Sequence, residues 1–187
     1  MEKGVIKMVR NMVALNETYF GAFLNSPNIK VISNLILLVT GVGYGAISIA
    51  SNASYIASFD SPVLQNFLVP LIFILFGLLS AVITKIGLAL LLWAGAKGLG
   101  GTAHFRDINL ASPVAMLPGL LCVPFLADWG EGGPAVIFLL VAGIVWMYFV
   151  SAKILKTTQN FTNKKAYLTA FLTFLFLASV YYIVVPS

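Results

Sequence analysis

KGLGGTAHFRDINLASPVAMLPGLLCVP, running from Lys97 to Pro124, is the stretch whose reading decides the fold. It holds a Gly-Gly pair, the single His104, the Arg106-Asp107 doublet, three prolines and the single Cys122, between two long apolar runs. Paired glycines after an apolar helix end it and permit positive φ. If Gly101 takes such a φ, Gly101→Val is expected to destabilise the turn. Beyond Asp107 the chain becomes apolar again, and Pro113, Pro118 and Pro124 interrupt the helical ladder. Proline at membrane depth is tolerated where neighbours or cavities satisfy the freed carbonyls. The stretch therefore reads as a cytoplasmic turn feeding a kinked or discontinuous span over about residues 110–127.

The composition agrees with a bilayer as solvent. Of 187 residues, 60% are apolar and 9% charged, and the mean hydropathy is +0.98. A soluble domain carries about a quarter charged residues, so this chain has too few to cover a water-facing surface. The expected fold is all-α: a bundle of five transmembrane helices preceded by an amphipathic interfacial arm, residues 1–29, with the membrane domain at 30–187. No apolar core of signal-peptide length occurs in the arm, so a cleavable signal is not expected. One cysteine excludes an internal disulfide framework, and Cys122 in an apolar run reads as an inert buried thiol.

Residues 5–16 place Val5, Ile6, Met8, Val9, Met12, Val13 and Leu15 on one half of a helical wheel and Lys7, Arg10 and Asn11 on the other. Such a helix lies on an anionic leaflet or packs on its own bundle. Ser26-Pro27 reads as a helix start. The first span, 31–50, contains Gly41 and Gly45 at GxxxG spacing, suited to tight packing within the chain or to a homo-oligomer. A polar loop at 51–63 follows. The run 64–96 would reach about 50 Å, beyond a ~30 Å core, so it must tilt, kink or protrude. Lys85 lies either at its inner boundary, with 86–96 projecting along the interface, or embedded and needing a partner. The acidic turn 128–133 leads to a fourth span at 134–152, a basic loop at 153–165 and a fifth span at 167–185.

With five spans, the N-terminus, the 97–107 turn and the 153–165 loop share one side. Counting Lys85 there, that side and its flanking spans take all eleven Lys and Arg, while the other side carries Asp60, Asp128 and Glu131. This charge asymmetry puts the N-terminus in the cytoplasm and the C-terminus outside. It needs no nucleic acid to explain it.

The residue inventory names no catalytic, cofactor or metal set. Metal ions need several convergent His, Cys or carboxylate ligands, which one His and one Cys do not provide. Neither a nucleophile elbow nor a phosphate loop is present. The candidate turn comprises Lys85, Gly100, Gly101, His104, Phe105, Arg106 and Pro118. The candidate surface for anionic lipid heads or a cytoplasmic protein comprises Lys7, Arg10, Lys153, Lys156, Lys164 and Lys165. The kinked span also allows a second reading, a small transporter built around its prolines.

Leu99-Gly100-Gly101-Thr102-Ala103-His104-Phe105, followed by Ala111 to Pro118, resembles a pattern of the Yip-domain membrane proteins, a Rab-interacting family with prokaryotic relatives. Phe20-Gly21-Ala22-Phe23 to Pro27 is similar to that family's short helix before the membrane. The resemblance implies five spans, a cytoplasmic N-terminus and a non-enzymatic membrane-organising or adaptor role. The Asp-Leu-Tyr-Gly-Pro signature of eukaryotic members is absent, which points to a prokaryotic relative in the cell membrane.

Overall fold

The computed structural model describes residues 2–127 and 133–184, and no strand occurs among them. In chain order the helices are α1 (Glu2–Val13), α2 (Glu17–Leu24), α3 (Ile29–Ser51), the short α4 (Ala53–Ala57), α5 (Val69–Gly98), α6 (Phe105–Met116), α7 (Val123–Leu126), α8 (Pro134–Gln159) and α9 (Asn163–Val184). A π-turn over Leu64–Leu68 leads into α5, and a 3₁₀ turn over Pro118–Cys122 separates α6 from α7. The acidic residues Asp128 and Glu131 lie outside the described residues.

Among the described residues, three helical segments are long and apolar enough to cross a membrane: Ile29–Ser51, Leu64–Gly98 and Pro134–Gln159. Phe105–Met116 and Pro118–Leu126 pass that test together, bent by 47°. The outward faces remain apolar. Leu38, Phe76, Phe138 and Phe171 are between 51% and 71% exposed, which suits lipid and not water. The described residues are thus all-helical in their regular structure, with the span lengths and apolar outer faces expected of a membrane protein.

Local chemistry explains several boundaries, including those that differ from the sequence reading. Pro70 has no N–H and its ring crowds the carbonyl four residues back, and the π-turn just before it widens the helix there. α3 opens at Ile29 and not at Pro27. The Ser26 hydroxyl accepts the Asn28 N–H at 3.3 Å, closing a turn ahead of the helix. The expected basic loop at 153–165 is mostly helix. α8 continues through Lys153 and Lys156 to Gln159, and Asn160 then takes a left-handed φ of 52° to stop it. The polar loop at 51–63 likewise contains the turns of α4.

α3 and α5 cross antiparallel at their glycines. A Cβ on Gly77 would lie 2.5 Å from the Gly41 carbonyl oxygen and 2.5 Å from the Gly45 nitrogen. One on Gly45 would lie 2.6 Å from Ile74 Cα. Only glycine allows backbones this close, so the GxxxG face is used within the chain. α6 occupies the middle of the bundle, with Ala111 to Met116 all buried and α3, α5 and α8 around it.

α8 runs antiparallel to the whole α6–α7 segment. At one end the Ala103 N–H donates to Gln159 Oε1 at 2.9 Å. At the other the Cys122 thiol approaches the Leu140 carbonyl at 3.7 Å. These contacts lie about 28 Å apart along α8 at ~1.5 Å per residue.

Gly77→Val is expected to lower the midpoint of thermal unfolding in detergent sharply, since overpacking costs about 1–3 kcal/mol or more. Gly87→Ala, where an added Cβ meets nothing within 4 Å, is the matched control and should leave it nearly unchanged. Equal midpoints for the two variants would refute the close crossing.

Candidate functional site

The turn after α5 is built by a hydrogen-bond pattern that requires one particular glycine. The Gly101 N–H donates to the Ala96 carbonyl at 2.8 Å and the Gly100 N–H to the Lys97 carbonyl at 3.0 Å. This is a Schellman closure, and the residue it forces to positive φ is Gly100, at 78°. The expectation that a positive φ at Gly101 would decide a substitution there is therefore corrected. Gly101 is held by packing, because a Cβ there would meet Gln159 Oε1 at 2.6 Å and the Ala96 carbonyl at 2.9 Å.

The remaining turn residues fall as follows. His104 is exposed at the start of α6 and makes no side-chain cap. Phe105 packs edge-on to Trp93, with ring centroids 6.1 Å apart. Arg106 is exposed and has no carboxylate partner among the described residues. Pro118 is buried at the break itself, whereas Pro113 sits inside α6 without ending it. Lys85 is remote from the turn. It is half-buried on α5 with exposed Ile83 and Ile86 on either side. Beyond it α5 buries Leu88, Ala89, Leu92 and Ala96 in the bundle.

Lys165 lies beside the turn, its Nζ 3.7 Å from where a Cβ on Gly100 would stand. Lys153 and Lys156 do not stand free, because the Glu17 carboxylate of α2 accepts from both. These hydrogen bonds to two ammonium groups hold Glu17 below the usual carboxylate range. Lys165 lies over the Phe161 ring at 4.6 Å, and Lys97 donates to the Thr102 carbonyl at 3.4 Å. Lys7, Arg10 and Lys164 are exposed. The arm that carries Lys7 and Arg10 packs on the bundle. Met12, Phe20 and Phe23 are buried, and Trp146 Nε1 donates to the Val13 carbonyl at 2.8 Å.

Beside the break lies a cavity of about 440 Å³ between α3, α5 and Pro118–Leu126. Its polar groups include Tyr44, Ser48, Ser80 and Thr84, and no charged residue lines it. The Tyr44 hydroxyl donates to the Met116 carbonyl at 3.4 Å, where the α6 ladder gives way to the 3₁₀ turn.

Sequence reasoning missed Gln159, Glu17 and Trp146. Glu17 carried a signal, as an acid directly after Asn16, whose side chain caps α2 by accepting the Thr18 N–H at 3.2 Å. Gln159 carried none. No protein-family model matches the chain, and no curated protein or solved structure matches it either.

The depressed carboxyl of Glu17 adds stability at neutral pH that is lost as pH falls through its folded-state value. Wild type should therefore melt above Glu17→Gln at pH 7, with the two curves converging on acidification. Parallel curves across that range would show that the clasp contributes nothing.

Proposed function

We propose that this chain is a five-span integral membrane protein, N-terminus in the cytoplasm, that organises membrane or recruits partners without catalysis. It does so through the basic end of its bundle. The spans in this reading are α3, α5, the broken α6–α7 pair, α8 and α9. The antiparallel match of Ala103 with Gln159 and of Cys122 with Leu140 supports a full crossing by the broken pair, because a re-entrant loop would return to its starting level.

The observation that carries the functional reading is the uneven neutralisation of charge. Lys153 and Lys156 are matched by Glu17, while Lys7, Arg10, Lys97, Arg106, Lys164 and Lys165 meet no carboxylate within 4 Å among the described residues. Cations left open at the end of a membrane bundle attract anionic head groups or an acidic protein segment. The Yip-domain resemblance implies the same kind of role, membrane organisation or adaptor work.

A second reading, a permeation pathway, draws on the cavity beside the α6 break. It ranks lower because no charged group lines that cavity, leaving little for ion or proton coupling there.

The test is retention of phosphatidylglycerol by the detergent-purified chain, read by native mass spectrometry. Lys164→Gln combined with Lys165→Gln should weaken retention roughly 30-fold, at about 1 kcal/mol per charge. Unchanged retention would remove these lysines from the reading.

A further inference from the structure

A second cavity, of about 310 Å³, opens where the α2–α3 connection, the first turn of α6 and the last turn of α8 meet. Its walls carry opposite charges on adjacent residues, Arg106 and Asp107, and neither forms an ion pair with a described residue. Of the other polar groups, the two threonine hydroxyls already use their one donor, and Asn25 uses one of its two. Thr157 donates to the Lys153 carbonyl at 2.9 Å and Thr158 to the Ile154 carbonyl at 2.8 Å. Asn25 Nδ2 donates to the Gly21 carbonyl at 3.0 Å. What these three groups still offer is mainly acceptors, two hydroxyl oxygens and an amide oxygen with one further Asn25 N–H, beside the Asp107 carboxylate.

We propose that this cavity binds the head group of an aminophospholipid, a primary ammonium tethered to a phosphodiester. Three ammonium N–H donors match the acceptor wall of Asp107, Thr157, Thr158 and Asn25. The phosphodiester pairs with Arg106, whose planar fork suits two oxygens of one anion. Leu24, Ile29 and Leu110 supply an apolar lip for the start of the acyl chains. The cavity also lies at the ends of α3, α6 and α8, the level where head groups stand if those helices span the bilayer, so the proposal rests on that reading. It differs in chemistry from the open lysines, which select for net negative charge. This cavity selects for a zwitterion with N–H donors.

The experiment compares retention of phosphatidylethanolamine, phosphatidylcholine and phosphatidylglycerol with matched acyl chains on the full-length purified chain, by native mass spectrometry. Phosphatidylcholine has the same phosphate and charge but no ammonium N–H. Phosphatidylethanolamine should be retained about tenfold better than phosphatidylcholine, as expected for charge-assisted hydrogen bonds that only one lipid can make. Asp107→Asn should bring that ratio close to one while leaving phosphatidylglycerol retention intact, and Arg106→Gln should weaken both zwitterionic lipids together. Lys164→Gln with Lys165→Gln should do the reverse, lowering phosphatidylglycerol and sparing the ratio, so failure of one reading is distinguishable from failure of the other. Equal retention of phosphatidylethanolamine and phosphatidylcholine by the wild-type chain would overturn the proposal. Full displacement of the lipid by soluble phosphoethanolamine at equal concentration would overturn its assignment to a membrane lipid.

Discussion

Gly77 lies against Gly41 and Gly45 with no side chain on any of the three, so α3 and α5 cross with their backbones in contact. In lipid, burying apolar surface gives helices little reason to associate, and close van der Waals contact takes over that role. The antiparallel pair sets a frame against which α6 is laid. Gly43 faces Leu120 just past the α6 break, and Tyr44 reaches the Met116 carbonyl at the break itself. A β-carbon at Gly77 would push α3 outward and take Tyr44 with it. The broken helix and its cavity, which Gly77 itself lines, depend in this way on the α3–α5 contact.

The break has its own chemistry. Pro118 and Pro124 cannot donate to the carbonyls four residues before them, and unsatisfied carbonyls are costly where water is scarce. The chain answers with a tightened 3₁₀ turn, at whose end the Val123 N–H donates to the Leu120 carbonyl that Pro124 leaves without its helical donor. At the opposite end of α6, Gln159 supplies the acceptor that the Ala103 N–H needs. Both ends of the central segment are thus tied to the long helices beside it.

The residues that act through their own periodicity or backbone were legible. The apolar runs announced the long helices, the paired glycines announced the turn, and the prolines announced a discontinuity between Asp107 and Ala127. What was not legible depends on partners distant in sequence. Whether Gly100 or Gly101 carried the positive φ required the register of the helix end, which is fixed by Ala96 and Lys97. The pairing of Glu17 with Lys153 and Lys156 spans more than 130 positions, and no local pattern encodes it. The same holds for the acceptor wall near Arg106, whose members come from the α2–α3 connection, α6 and α8.

The account stands on the α6–α7 segment passing from the basic end of the bundle to the other, and side-specific cysteine labelling tests this most directly. In a Cys122→Ser background, single cysteines at Ala127 and Thr162 would be treated with a membrane-impermeant maleimide in intact cells and again after permeabilisation. The account predicts that Ala127→Cys reacts in intact cells and that Thr162→Cys reacts only once the membrane is opened. Labelling of both from the same side would contradict it, because the segment would then enter and leave the membrane on one face.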